Sequence, residues 1–257
     1  EGPRPYIDME EFKKDPYPLG NLNYRNRDNI QSMESSAAQL VNEYGWIWLW
    51  RNGKPAKLTV DVYDYYLGSN ATPEDRRKLQ AYWLQLETEW LRSIRQHAGV
   101  LAFCYLTNNY GYTGDWFVGD IAELNPGPTM HWFQHAFAPA AVFINLTDER
   151  YTKFSSPHKP GSKLNFTLAG INDKNTTVNG NTTLKLLNNK GEVVKRSDLE
   201  IELPTDIRKD IPISLELPVN AGGYLLVAEF IPEGKTEPII SRRYLKIGEL
   251  EDYNFFE

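Results

Sequence analysis

The stretch from residue 72 to residue 106 constrains the fold more than any other part of the chain. Thr72 is a good N-cap, Pro73 suits the first helical position, and Glu74 and Asp75 favour the positive end of a helix dipole. Leu79, Trp83, Leu86, Trp90 and Ile94 then recur at steps of three and four, with Tyr82 and Leu91 widening the stripe. That spacing predicts one long helix over 72–97. It runs into AGVLAFCYL (98–106), a continuous apolar run of strand length, as expected of a parallel strand buried on both faces. Upstream, SAAQLVNEYG (36–45) holds a second strand-like run, and RPYIDMEEF (4–12) begins with another. Strand, helix and strand joined by a right-handed crossover is the default connection, so the first region reads as α/β. Its last part, GPTMHWFQHAFAPAAVFINL (127–146), reads as a helix followed by an extended exit.

Beyond residue 160 the pattern changes. KLNFTLAGI (163–171), TTLKLLN (182–188), GEVVKRSDLEIELP (191–204), IPISLELP (211–218), GYLLVAEFI (223–231) and EPIISRRYLKIG (237–248) are short strand-like runs separated by turn residues. They predict an immunoglobulin-like β-sandwich without the cysteine pair of an antibody domain. FSSPHKPGS (154–162) has linker composition. The expected layout is a first domain over 1–153, a linker over 154–162 and a sandwich over 163–250. The sandwich carries no reactive constellation and reads as a structural or ancillary module.

Composition removes several functional classes. The net charge of −6 lacks the basic footprint of a nucleic-acid binder. Cys104 is the single cysteine, so neither an internal disulfide nor a thiolate zinc cluster can be built. No apolar run reaches the ~18–20 residues that span a bilayer, and no signal peptide is visible at the start. The chain begins EGPRP without a Met, which is expected of a processed chain or a piece of a longer protein. A periplasmic or extracellular setting is expected ahead of a cytoplasmic one. Aromatic residues make up 13%, a load that serves either a large core or a cleft for flat polar ligands.

The ends of the apolar runs collect polar and aromatic residues. The first ends in Glu10 and Glu11, the second in Asn42, Glu43 and Tyr44. The third ends in Tyr105, with Asn108, Asn109, Tyr110, Asp115 and Trp116 beyond it. In a β/α barrel the active site gathers at the C-terminal ends of the strands. Carboxylates, amides and aromatic faces there suit a sugar, although polar residues also end strands for solubility. Trp46, Trp48 and Trp50 share one face of an extended segment, which packing explains as well as sugar stacking does.

QLVNEYG (39–45) is similar to the strand-seven motif of glycoside hydrolase family two, which holds β-galactosidases, β-glucuronidases and β-mannosidases. In that family an apolar strand ends in a Glu followed by an aromatic residue and often Gly. That Glu is the catalytic nucleophile; the matching residue here is Glu43, followed by Tyr44 and Gly45. GVLAFCYL (99–106) after the long helix fits strand eight, and a sandwich commonly follows the barrel. The resemblance implies the C-terminal portion of a (β/α)8 barrel plus a sandwich, and retaining hydrolysis of a β-linked sugar without an organic cofactor. Tyr44, Trp46, Tyr105, Asn108 and Trp116 are the implied substrate-binding residues. RPYIDMEE also resembles the lead-in to the family's nucleophile and leaves Glu10 as the alternative.

The family's acid/base Glu follows an Asn at the end of strand four, and no segment of this chain can hold that position. A second chain or a missing N-terminal segment is therefore the expected partner, besides the carbohydrate itself. Without one, a non-catalytic carbohydrate-binding or structural protein is the rival reading. His131 and His135 have metal-ligand spacing but no third ligand, and Trp132, Phe133 and Phe137 mark that segment as core, so no metal is expected. Ser35-Ser36 lacks the glycines of a nucleophile elbow, and no phosphate-binding glycine loop occurs. The five Asn-X-Thr sequons, at Asn70, Asn145, Asn165, Asn175 and Asn181, are what chance supplies in a chain rich in Asn and Thr.

Overall fold

A computed structural model describes residues 19–24, 37–108, 110–152 and 156–253. The described residues form two compact units, one from residues 37–88, 97–108 and 110–134 and the other from 19–24, 89–96, 135–152 and 156–253.

In the first unit, β1 (Leu40–Tyr44) pairs in parallel with β2 (Gly99–Ala102). Bonds from Ala98 N–H to Gln39 O (2.7 Å) and from Phe103 N–H to Tyr44 O (2.9 Å) extend the ladder at both ends. Parallel strands need a long crossover. Here it contains α1 (Val60–Leu67) and α2 (Pro73–Ser93). The expected strand, helix and strand are thus present and α2 starts where its cap signal lies, but it ends at Ser93 and the second strand is four residues long with none of them fully buried, not the doubly buried run read over 98–106. Thr72 Oγ1 accepts from Asp75 N–H (3.1 Å) while an Asp75 carboxylate oxygen accepts from Thr72 N–H (3.0 Å), a reciprocal capping box. The apolar stripe is buried, but so are Ala81, Leu84, Gln85 and Thr88 on the helix's other sides. From Leu79 on, the helix is enclosed rather than amphipathic.

The strand pairing carries one irregularity. Val41 lies opposite Val100 and Tyr44 opposite Ala102, so β1 takes three steps where β2 takes two. Such a bulge bends a strand and re-aims its side chains. The sheet also has an open face: Leu40 is 65% exposed and Leu101 58%. RPYIDMEEF, expected to begin with a strand, lies outside the described residues, and so does Glu10.

The second unit is a β-sandwich. β3 (Ala140–Asn145), β4 (Lys163–Asn172) and β7 (Lys209–Glu216) form one antiparallel sheet, in the order β3-β4-β7. β5 (Val178–Leu187), β6 (Val193–Leu203), β8 (Gly222–Pro232) and β9 (Ile239–Ile247) form the other, in the order β6-β5-β8-β9. Val142, Ile144, Phe166 and Leu168 from the first sheet meet Leu184, Leu186, Leu226, Phe230 and Leu245 from the second in one core. All six sandwich strands read from the sequence are present.

Two expectations need correction. AAVFIN was read as the exit from the first domain. It is β3, paired with β4 from Ala140↔Asn172 to Asn145↔Thr167, and the break between units falls at residue 134/135. Its run is buried on both sides, with Ala140, Val142 and Ile144 in the sandwich core. Within the segment read as a linker, the part from residue 156 on is also tied down: His158 N–H bonds Lys246 O (2.8 Å) and Gly248 N–H bonds His158 O (2.8 Å).

An ion pair with no solvent access lies inside this unit. Glu89 Oε2 accepts from an Arg243 guanidinium nitrogen at 2.8 Å and from Ser241 Oγ at 3.0 Å; both charged side chains are 0% exposed. Arg243 Nε also donates to Leu146 O (2.9 Å). Removing one partner strands the other charge. Glu89→Leu and Arg243→Met alone are each expected to destabilise the protein by about 3–5 kcal/mol, and the double variant by much less. Denaturant unfolding of the three variants measures the difference.

Candidate functional site

The C-terminal ends of β1 and β2 lie side by side because the strands are parallel. Glu43 stands one residue before the end of β1, partly exposed. Gly45 follows at φ +79°, a left-handed conformation that glycine takes without strain, and Ile47 N–H closes a tight turn on Gly45 O (2.8 Å). The chain then runs on through the tryptophans. Trp48 is core, with its indole N–H on Phe103 O (2.7 Å). Trp46 and Trp50 are half-buried; Trp50 donates to Gly111 O (2.9 Å) and meets Tyr110 edge-on at 5.4 Å.

Beyond β2, the Phe103–Cys104 peptide is cis, and the following loop is organised by a buried ion pair. Arg51 Nη2 lies 2.6 Å from Asp115 Oδ2, with side chains 6% and 1% exposed. The same guanidinium donates to Thr107 O (2.5 Å), while Thr107 N–H and Phe117 N–H donate to the Asp115 carboxylate. Asp115 is therefore occupied in holding the loop. Cys104 Sγ donates to Gly114 O (3.4 Å). Burial, then the Asp115 charge and more weakly that of Glu43, push the thiol up, so it is a poor nucleophile.

The residues expected to bind substrate divide into two groups. Tyr105 (57% exposed) and Asn108 are open to solvent. Tyr105 stands edge-on to Trp116 at 6.5 Å and to Phe117 at 5.4 Å. Trp116 is 5% exposed and packed on Phe133 at 4.8 Å, yet its indole N–H has no partner among the described residues. Tyr44 does not belong with them. Its ring is buried and its hydroxyl lies 2.7 Å from Thr88 Oγ1 on α2. Among the described residues no group of three or more His, Cys, Asp and Glu side chains is placed to hold a metal, and no helix is long and apolar enough to cross a membrane.

One carboxyl at this turn was not anticipated. Glu87, on α2, lies four residues after Trp83. Burial pushes it up to about 7, against the opposing effect of hydrogen bonds from the Gly45 amide and from Trp83. The helical stripe hid it, since an acid beside Leu86 reads as the start of the polar face.

No family model and no curated protein matches the chain. Among solved structures it is similar to the β-D-mannosidase of Dictyoglomus thermophilum, at 17% identity and a TM-score of 0.48 over 71% of this chain and 20% of that one. It is also similar to the exo-chitosanase CsxA of Amycolatopsis orientalis, at 14% identity and a TM-score of 0.45 over 74% of this chain and 21% of that one. Red sea bream transglutaminase matches over 48% of this chain and 19% of that one, at 10% identity and a TM-score of 0.33. The chain spans about a fifth of the length of these structures.

The Glu87 carboxyl gives the stability a pH dependence of defined sign. Its folded value of about 7 lies above the ordinary 4.5, so between these the folded state holds a proton that the unfolded state has lost. Stability therefore falls as pH rises through that window and levels off above it. Glu87→Gln removes this slope. Between pH 4 and 8 the stability of Glu87→Gln minus that of wild type is expected to rise by about 3 kcal/mol, read from urea unfolding across pH.

Proposed function

We propose that this chain is the C-terminal part of a retaining glycoside hydrolase acting on a β-linked sugar, with Glu43 as the nucleophile. The observation that carries this reading is the position of Glu43. It stands at the C-terminal end of a parallel strand whose neighbour also ends there, which is where β/α folds keep their chemistry. The exposed Tyr105 ring and Asn108 amide beyond β2 supply a face and hydrogen-bonding groups for a sugar. In this mechanism Glu43 attacks the anomeric carbon, and a second carboxylic acid, about 5–5.5 Å away, protonates the leaving oxygen and then activates water.

The second acid is assigned to strands outside this chain. A parallel sheet is normally covered on both faces, and here Leu40 and Leu101 are open. Further strands, from a preceding segment or a second chain, would cover that face as a (β/α)8 barrel and bring the acid with them. The sandwich, with strand orders β3-β4-β7 and β6-β5-β8-β9, is read as immunoglobulin-like and ancillary. The rival, a non-catalytic carbohydrate-binding protein, draws on one observation: Asp115, the carboxylate nearest in the loop beyond β2, is occupied by Arg51.

The test has two parts. Native mass of the purified protein is expected to show either a longer polypeptide or a second chain. In that intact form Glu43→Gln is expected to lower turnover of aryl β-glycosides by about a thousandfold or more. Wild-type turnover in that variant sinks the nucleophile assignment, and a mechanism-based fluorosugar that labels Glu10 moves it to the first strand-like run.

A further inference from the structure

We infer that Thr88 and Glu87, on α2, are positioning residues that set the direction in which β1 projects Glu43. This rests on the reading of Glu43 as nucleophile. Thr88 Oγ1 donates its single proton to Leu84 O (2.7 Å), so at the 2.7 Å contact with Tyr44 the tyrosine must be the donor. The result is a directed relay, Tyr44 O–H to Thr88 Oγ1–H to Leu84 O, closed to water at both side chains. One residue back along the helix, Glu87 accepts from the Gly45 amide. The same face of α2 approaches Gly45 so closely that a Cβ there would meet Leu84 at 3.3 Å. Leu84, Glu87 and Thr88 thus grip the two residues that follow Glu43.

The grip matters because the sheet does not define the direction. The register irregularity lies between Val41 and Tyr44, so Glu43 has no ladder partner on β2. Side chains alternate along a strand. The bulge interrupts that alternation at Glu43, so its direction follows from how Tyr44 and Gly45 are held. Loss of the relay lets the bulged segment rotate, and a displacement of about 1 Å at a reacting group is worth about a hundredfold in rate.

The experiment uses the intact enzyme and aryl β-glycosides. Thr88→Val and Tyr44→Phe are each expected to lower kcat by about 10- to 100-fold with KM changed less than about twofold. Thr88→Ser, which keeps the hydroxyl, is expected to retain activity within about threefold, and the Thr88→Val/Tyr44→Phe double variant to be no worse than either single one, because both break one relay. Full kcat in a folded Thr88→Val, alongside an inactive Glu43→Gln, overturns the positioning role and leaves the glycosidase reading intact. If wild type itself turns over nothing, the functional reading fails, and amide exchange at Gly45 decides the grip by itself. Exchange accelerated about tenfold or more in Thr88→Val and Glu87→Leu supports it. Unchanged exchange overturns it. Should Thr88→Val fail to fold, the same exchange measurement on Tyr44→Phe and Glu87→Gln gives the answer.

Discussion

A parallel strand pair cannot be closed by a tight turn, and the pairing of β1 with β2 sets most of what the first unit contains. The chain must travel from Tyr44 back to Gly99, and only a crossover with its own structure does that without leaving backbone groups unpaired. Both helices of that crossover lie against the strand end it came from: Tyr63 Oη on α1 and Gln80 Nε2 on α2 donate to Ile47 O, at 2.8 and 3.0 Å, and Thr88 on α2 meets Tyr44. The connection that makes the parallel pair possible is also the layer that packs against it. A change in α2 is therefore felt at the turn carrying Glu43, although the two are more than 40 residues apart in sequence.

Much of this was legible in the sequence, and the limits have physical causes. The long helix announced itself through Thr72, Pro73 and a regular apolar step, because capping and periodicity are local. The six sandwich strands were legible for the same reason: alternation and turn residues act within a few positions. β3 was not. AAVFIN is equally apolar as a barrel exit and as a sandwich strand, and only its partner β4, more than 20 residues away, decides between them. Glu43 was placed at a strand end by its neighbours, but the register irregularity beside it, the Thr88 relay and the Glu87 carboxyl depend on how strand and helix meet. Arg51 and Asp115, separated by 64 residues, carried no local sign of pairing.

Buried charge is handled in two ways. Arg51 with Asp115, and Glu89 with Arg243, are ion pairs closed from water and surrounded by further hydrogen bonds. A buried charge is tolerated only on such terms. Glu87, partly rather than fully buried, follows the other route. Nothing cationic contributes to its shift; only the Gly45 amide and Trp83 oppose the burial. A carboxyl so placed keeps its proton to near-neutral pH. It can accept from Gly45 in either state, so the contact survives titration while its strength changes.

The open face of the two-stranded sheet gives the grip on Tyr44 and Gly45 its purpose. In a full parallel sheet each strand end is flanked by two neighbours, and a side chain's direction follows from the register on both sides. β1 has one paired neighbour among the described residues, and its register slips just where the carboxylate sits. Backbone pairing alone would leave Glu43 free to swing about the bulge. A bulge is useful because it re-aims a side chain, and it is costly because it removes what would hold the new direction. Hydrogen bonds from Tyr44 and the Gly45 amide to the helix supply the missing constraint from behind the strand.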